Sequence, residues 1–234
     1  MNIAVILAGG SGVRMGKNLP KQFMKLGDKS IIEHTIEAFE RNAGIDRIFV
    51  VCREDSVSMI RQLVKARCYR KVTDILSGGK ERYHSSLAAI GIVENDEDNL
   101  LFHDAVRPLV SQRIIKDCLI ALERYRAVDV AIKAVDTIIQ VDENDMIVDI
   151  PPRASLRCGQ TPQGFRAGVI RRAYELAVVD PDFRTTDDCG VVKHYLPQEP
   201  IFVVDGESIN MKLTYQEDLP LLEQYYYARQ QAIQ

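Results

Sequence analysis

The chain has 234 residues, 46% hydrophobic and 27% charged, which is enough apolar material for one sizeable α/β domain or two small ones. Its 30 basic and 33 acidic side chains leave a formal net charge of −3, so the basic surplus that a nucleic-acid partner requires is missing, and a phosphorylated ligand has to be met by local Arg and Lys. No apolar run approaches a membrane span and no charged-then-apolar leader opens the chain, so a cytoplasmic protein without membrane contact is expected.

Residues 3–7 form an apolar run that reads as a buried strand and leads at once into Gly9, Gly10 and Gly12. Glycines at this spacing allow positive φ and close approach to a ligand, so that backbone N–H groups can converge on phosphate oxygens, while Arg14 and Lys21 add positive charge. Two familiar phosphate loops do not fit. After Gly10 and Gly12 the next glycine is Gly16, one residue too late for the dinucleotide G-x-G-x-x-G, and Gly16-Lys17 is followed by Asn18 where a P-loop needs Ser or Thr. A nucleotide loop of another kind is expected, placed at the carboxyl end of a parallel sheet.

Beyond it, Ser30 and Glu33 form a capping box ahead of Ile32, Ile36 and Phe39 at helical spacing. Residues 47–52 read as a second strand, 55–66 as a helix, and 72–76 as a third strand entering a second glycine loop at Gly78 and Gly79. A helix over 83–93 and a short buried strand over 99–103 follow, and that strand delivers Asp104 and Arg107 to its carboxyl end. Ser111 caps the next helix, and 129–135 is a β-branched strand. The repeated βα pattern predicts a parallel, doubly wound sheet with right-handed crossovers.

The rhythm breaks at residues 137–149, where two β-rich halves flank Asp142, Glu143, Asn144 and Asp145, which predicts a hairpin. An isolated hairpin is marginal in water, so a protruding arm over about residues 137–153 implies a partner. Residues 159–165 return the chain to the domain and 167–177 form a helix. Thr185, Thr186, Asp187 and Asp188 look like a helix N-terminus suited to an anion. A strand at 201–204, a strand end at 209–214 carrying Lys212, and a helix at 216–227 close the chain. No linker or repeat divides it, so one domain over 1–234 with an arm is expected. The five cysteines form no C-x-x-C pair and are expected to be reduced, mostly structural thiols; the four histidines show no ligand spacing either, and His103 stands out because it abuts Asp104.

Eight motifs lie in one order over residues 7–214: L-A-G-G-x-G-x-R-M, P-K-Q-F, G-G-x-x-R-x-x-S, H-D-A-V-R-P, D-T-I, Q-T-P-Q-x-F, T-D-D and N-M-K-L-T. Together they resemble the small cytidylyltransferase family that includes ribitol-5-phosphate and 2-C-methyl-D-erythritol 4-phosphate cytidylyltransferases. The resemblance implies an α/β fold with a Rossmann-like, doubly wound, mostly parallel sheet and a protruding β-hairpin arm, CTP and a polyol phosphate as substrates, magnesium bound mainly through CTP, and a homodimer formed through the arm. It implies Arg14, Lys21 and Lys212 as the catalytic cations. Leu7, Ala8, Gly9, Gly10 and Gly12, with Gly78, Gly79, Arg82 and Ser85 of the second loop and with Asp104, would hold the nucleotide. Asp104, Arg107, Thr137, Arg153, Thr161 and Thr186 would line the polyol-phosphate pocket, Arg153 being donated from the arm, and Asp104 is the implied protein ligand to the metal.

Within the family, the erythritol-phosphate members commonly show L-A-A-G, D-T-x-K and a Trp before Q-T-P-Q. Here stand Ala8-Gly9-Gly10, Ile139 and no tryptophan, so the chain resembles the ribitol-5-phosphate branch more closely. A sugar-phosphate nucleotidyltransferase using UTP or dTTP, and a catalytically silent nucleotide-binding protein, are the alternatives. The joint presence of Arg14, Lys21 and Lys212 speaks against the second.

Overall fold

The computed structural model describes residues 1–10 and 20–231. Its first half is a run of βα units: β1 (Asn2–Ala8), a small ribbon of β2 (Lys25–Leu26) and β3 (Lys29–Ser30), α1 (Ile31–Glu40), β4 (Arg47–Cys52), α2 (Val57–Arg67), β5 (Val72–Ser77), α3 (Arg82–Ile90), β6 (Asn99–Asp104) and α4 (Gln112–Leu122). β1 pairs in parallel with both β4 and β6, and β4 with β5, giving the local order β5-β4-β1-β6 of a doubly wound sheet. The strand order reverses between β1 and β6, which is where such sheets open a ligand crevice at their carboxyl ends.

The local signals explain these elements. Ser30 N donates to Glu33 Oε2 at 2.6 Å to close the capping box of α1, and Ser111 Oγ accepts the Ile114 N–H at 3.2 Å at the start of α4. Along β1 the side chains alternate between two covered faces. Ala4 and Ile6 pack with Ile36, Phe39 and Ile114 on one side, whereas Ile3, Val5 and Leu7 pack with Ile90, Ile170 and Tyr174 on the other. Burial on both faces is why the strand is apolar throughout instead of alternating with polar residues.

β7 (Ala127–Lys133) starts two residues earlier than its composition predicts, because Ala127 finds partners on both edges, Phe165 and Ile201. Then come the arm strands β8 (Gln140–Val141) and β9 (Ile147–Asp149), β10 (Arg157–Gly159), β11 (Gln163–Arg166), α5 (Ala167–Ala177), α6 (Asp188–Tyr195), β12 (Ile201–Asp205) and α7 (Asp218–Gln231). β11 runs antiparallel between β6 and β7, β10 antiparallel along the upper part of β7, and β12 parallel on its far edge. The return segment therefore forms two antiparallel strands in an otherwise parallel sheet.

The arm is a two-stranded ribbon separate from the main sheet, with Gln140 opposite Asp149 and Val141 opposite Ile147. Its turn is set by Asp142, whose Oδ1 accepts the N–H groups of Asn144 at 2.9 Å and Met146 at 3.0 Å, and by Asp145 at φ 60°. Residues 209–214 are not a strand. They run as irregular chain held by Leu213 N donating to Val106 O at 3.0 Å and Arg107 Nη1 donating to Asn210 O at 2.8 Å, while Leu213 is buried with Met24, Val106 and Leu222. No helix among the described residues is long and apolar enough to cross a membrane.

Candidate active site

The crevice predicted by the strand order is there. At the carboxyl ends, Leu7 of β1 is in register with Asp104 of β6, Ala8 with Cys52 of β4, and Cys52 with Ser77 of β5, so the loops after all four strands open on one side. A cavity of about 640 Å³ lies between them, with Leu7 and Ala8 at the end of β1, Gly9 and Gly10 just after it, Gly79 of the second loop, Arg82 and Ser85 of α3, and Lys21, Asp104 and Lys212 around it. Gly12 and Arg14 lie outside the described residues.

The glycines serve contact more than twist. Among the described glycines only Gly27 has a positive φ, so the positive φ anticipated for the first loop is not found at Gly9 or Gly10. Instead, a Cβ at Gly78 would stand 2.4 Å from Ser85 Oγ, and one at Gly9 would stand 3.3 Å from the same atom. Both loops thus close on Ser85 at the start of α3, where a side chain at Gly78 would displace the Ser85 hydroxyl and one at Gly9 would crowd it.

Lys21 opens a 3-10 turn, Lys21–Phe23, tied down by Phe23 N donating to Pro20 O at 2.9 Å and by the buried Gln22, whose Nε2 donates to Ala8 O at 2.9 Å. Gln22 was not among the anticipated site residues, although it stands in the P-K-Q motif. It clamps the turn bearing Lys21 to the end of β1. Arg53, Lys80 and Glu81 also line the cavity, and no sequence signal singled them out.

Asp104 is the centre of charge. Its Oδ2 lies 3.0 Å from Lys212 Nζ and 3.4 Å from Arg107 Nε. Burial by itself raises its carboxyl, but the charges of Lys212, Arg82 and Arg107 outweigh that and hold it well below the usual carboxylate range. Asp104 is therefore ionised and orients the cations around it.

Thr161 lies beneath Asp104 rather than lining the cavity. The Asp104 N–H donates to Thr161 Oγ1 at 3.2 Å, and Thr161 Oγ1 lies 2.9 Å from His103 Nδ1. His103 is fully buried, and burial pushes its imidazole down to about 4, so it is neutral. Since its Nε2 lies 3.1 Å from the Arg107 carbonyl, which can only accept, the proton sits on Nε2 and Nδ1 accepts the Thr161 hydroxyl. A directed chain of hydrogen bonds thus fixes the loop carrying Asp104 and Arg107.

Because the folded-state value of His103 is depressed, the unfolded chain binds the proton more readily between pH 6.5 and 4, and the stability it contributes is present above pH 6.5 and is lost as pH falls. In urea denaturation, the wild type should lose roughly 2 kcal/mol more than His103→Asn between pH 7 and pH 4.5. Equal losses in the two proteins would show that His103 is not held neutral.

The remaining anticipated residues are dispersed. Arg107 is buried behind Asp104, directed at the Asn210 carbonyl. Thr137 is exposed at the start of the arm, Arg153 is exposed at its base with Nη1 donating to Val135 O at 3.0 Å, and Thr186 is exposed just before α6. Asp187, not a threonine, caps α6: its Oδ1 accepts the Gly190 N–H at 2.7 Å. Thr137, Arg153 and Thr186 are not among the residues lining the cavity.

As to a metal, no group of three His, Cys, Asp or Glu side chains among the described residues could hold one. Asp104 stands there as a single carboxylate engaged by Lys212 and Arg107.

The family model described as 2-C-methyl-D-erythritol 4-phosphate cytidylyltransferase matches residues 2–228. The chain is 44% identical over 226 residues to the 2-C-methyl-D-erythritol 4-phosphate cytidylyltransferase of Thermobifida fusca, covering 94% of this chain and 91% of that one. It is 42% identical over 231 residues to the bifunctional ribulose 5-phosphate reductase/CDP-ribitol pyrophosphorylase of Haemophilus influenzae, covering 97% of this chain and 48% of that protein, so it spans about half of that relative. The crystal structure of the 4-diphosphocytidyl-2C-methyl-D-erythritol synthase of Anaerococcus prevotii superposes with a TM-score of 0.84 at 28% identity, over 97% of this chain and 98% of that one.

Proposed function

Because this chain belongs to the 2-C-methyl-D-erythritol 4-phosphate cytidylyltransferase family, and is thus a nucleotidyltransferase, we propose that its cavity joins CTP to D-ribitol 5-phosphate, giving CDP-ribitol and pyrophosphate. The observation that carries the chemistry is the meeting of two glycine loops with Lys21, Arg82, Asp104 and Lys212 at the switch point of the sheet. An oxygen of the polyol phosphate attacks the α-phosphorus of CTP, the bond from that phosphorus to the bridging oxygen breaks, and pyrophosphate leaves. No covalent enzyme intermediate is needed. The protein brings two anions together and neutralises the charge that accumulates.

In this reading Lys21 meets the triphosphate and Lys212, oriented by Asp104, meets the incoming phosphate. By the family resemblance, Arg14 acts on the triphosphate together with Lys21. CTP arrives as its magnesium complex, the metal being part of the substrate. Cytosine lies against Ala8, Gly9, Gly79 and Ser85, where hydrogen bonds that another base leaves unmade discriminate against it. Arg107 and Thr161 hold the Asp104 loop at the polyol side, and Thr186 with Thr137 and Arg153 complete that side when two subunits join through their arms.

Ribitol 5-phosphate is favoured by Ile139 at the position of the D-T-x-K lysine, by the absence of tryptophan, and by the 42% identity to a CDP-ribitol pyrophosphorylase. 2-C-Methyl-D-erythritol 4-phosphate is the second reading, favoured by the family model and by the Thermobifida relative. Pyrophosphate release from magnesium-CTP with each phosphate in turn separates them. Ribitol 5-phosphate should give at least about tenfold higher kcat/KM, a difference of about 1.4 kcal/mol in transition-state binding. The reverse order would move the assignment to the erythritol phosphate and leave the cytidylyl chemistry intact.

A further inference from the structure

Arg82 is the first residue of α3 and lines the cavity, but the group that fixes it comes from α6. Its Nη1 donates to Asp188 Oδ2 at 2.6 Å, and Asp188 is fully buried. The other carboxylate oxygen, Oδ1, accepts the hydroxyl of Tyr174 on α5 at 2.6 Å. The mount is completed by Gln163 of β11, whose Oε1 accepts the Asp188 N–H at 3.1 Å and whose Nε2 donates to Asp187 and Asp129, each at 3.1 Å.

A carboxylate bonded on both oxygens and shut away from water cannot turn aside without leaving a buried charge unpaired. The guanidinium has five N–H donors in a rigid fork, so its bond to Asp188 leaves donors for a phosphate chain. Arg82 is also near enough to Asp104 to help hold that carboxyl ionised. Its side chain thus stands between a buried anchor and the reacting end of the cavity.

We infer that Asp188 is a positioning residue of the nucleotide site, holding the Arg82 guanidinium at the cavity wall so that its remaining donors meet the triphosphate, with Tyr174 locking the carboxylate. The inference rests on the proposed function in that it takes the cavity to bind a nucleoside triphosphate. A carboxylate that merely fastened α6 to α5 would leave Arg82 no special dependence on it, and that difference can be measured.

Calorimetric titration with magnesium-CTP is carried out on the wild type, Arg82→Ala, Asp188→Asn and the double variant. Each single substitution should weaken binding at least about tenfold, and the double variant should bind within about twofold of Arg82→Ala, because the effect of Asp188 passes through Arg82. Wild-type affinity in Asp188→Asn, or a double variant weakened by the product of the two single losses, would overturn the inference. Should circular dichroism show Asp188→Asn unfolded, Tyr174→Phe takes its place in the cycle, with about a threefold loss expected alone and none in the Arg82→Ala background. A wild type that prefers UTP overturns the cytidylyl reading and not this one, since the cycle then runs with magnesium-UTP under the same criteria.

Discussion

Replacement of Lys21 by alanine is expected to lower kcat at least about 100-fold while the KM for CTP changes far less, a loss of about 2.7 kcal/mol confined to the transition state. The reason lies in how the lysine is mounted. Its turn is clamped by the Gln22 bond to Ala8 O, Lys21 itself is only 8% exposed, and its Cε would lie 3.8 Å from a Cβ at Gly10, so the stem runs along the first glycine loop. A cation held in place before the reaction needs no reorganisation as charge moves onto the leaving pyrophosphate, and a pre-set charge of this kind acts more on the transition state than on the ground state. Rapid-quench measurement of the first turnover separates this from a change in product release. A KM that rises tenfold or more with kcat unchanged would instead make Lys21 a ground-state binder.

Mixing two inactive variants should restore activity if the active site is shared between subunits. The arm presents Ile138, Ile139, Val141, Met146, Ile147, Val148 and Ile150, each more than 40% exposed, on a ribbon that pairs with no strand of the main sheet. An apolar ribbon so placed is the face we propose for a twofold dimer, in which each arm carries its Arg153 to the polyol side of the other subunit. If Arg153 acts in trans, a heterodimer of Lys21→Ala with Arg153→Ala holds one site with both defects and one with neither. Activity should then rise from near zero to about half that of the wild type per heterodimer, as arithmetic on one intact site of two requires. If Arg153 acts within its own subunit, every site keeps a defect and the mixture stays dead. Recovery absent from a sample with mixed dimers shown by native mass spectrometry would therefore exclude the shared site.

The sequence by itself determined the local elements and the order in which they follow. Apolar runs and helical spacing in residues 1–122 gave strands and helices whose limits the structure reproduces closely, and the capping signals at Ser30 and Ser111 work as their chemistry requires. The arm was legible for the same reason: β-rich segments around an Asp-rich turn form a hairpin through contacts only a few residues apart. The motifs also named Lys21, Asp104 and Lys212, which the fold brings to one cavity.

What only the tertiary structure decided depends on partners far away along the chain. Residues 157–166 became antiparallel strands because the edges of β6 and β7 were there to receive them, and periodicity over three or four residues cannot announce an edge. Residues 209–214 look like a strand by composition, yet their polar groups are met by Arg107 and Val106 and their apolar Leu213 by a corner of the core, so no ladder forms. The same holds for charge. Asp188 reads as one more acid in a helix cap until Arg82, 106 residues away, and Tyr174 are seen on its two oxygens, and Thr161 reads as a pocket hydroxyl until His103 and Asp104 are seen on either side of it. Hydrophobic pattern and capping act over a turn or two of chain, whereas burial, and with it the strength of every charge in the site, exists only once distant segments have excluded water from between them.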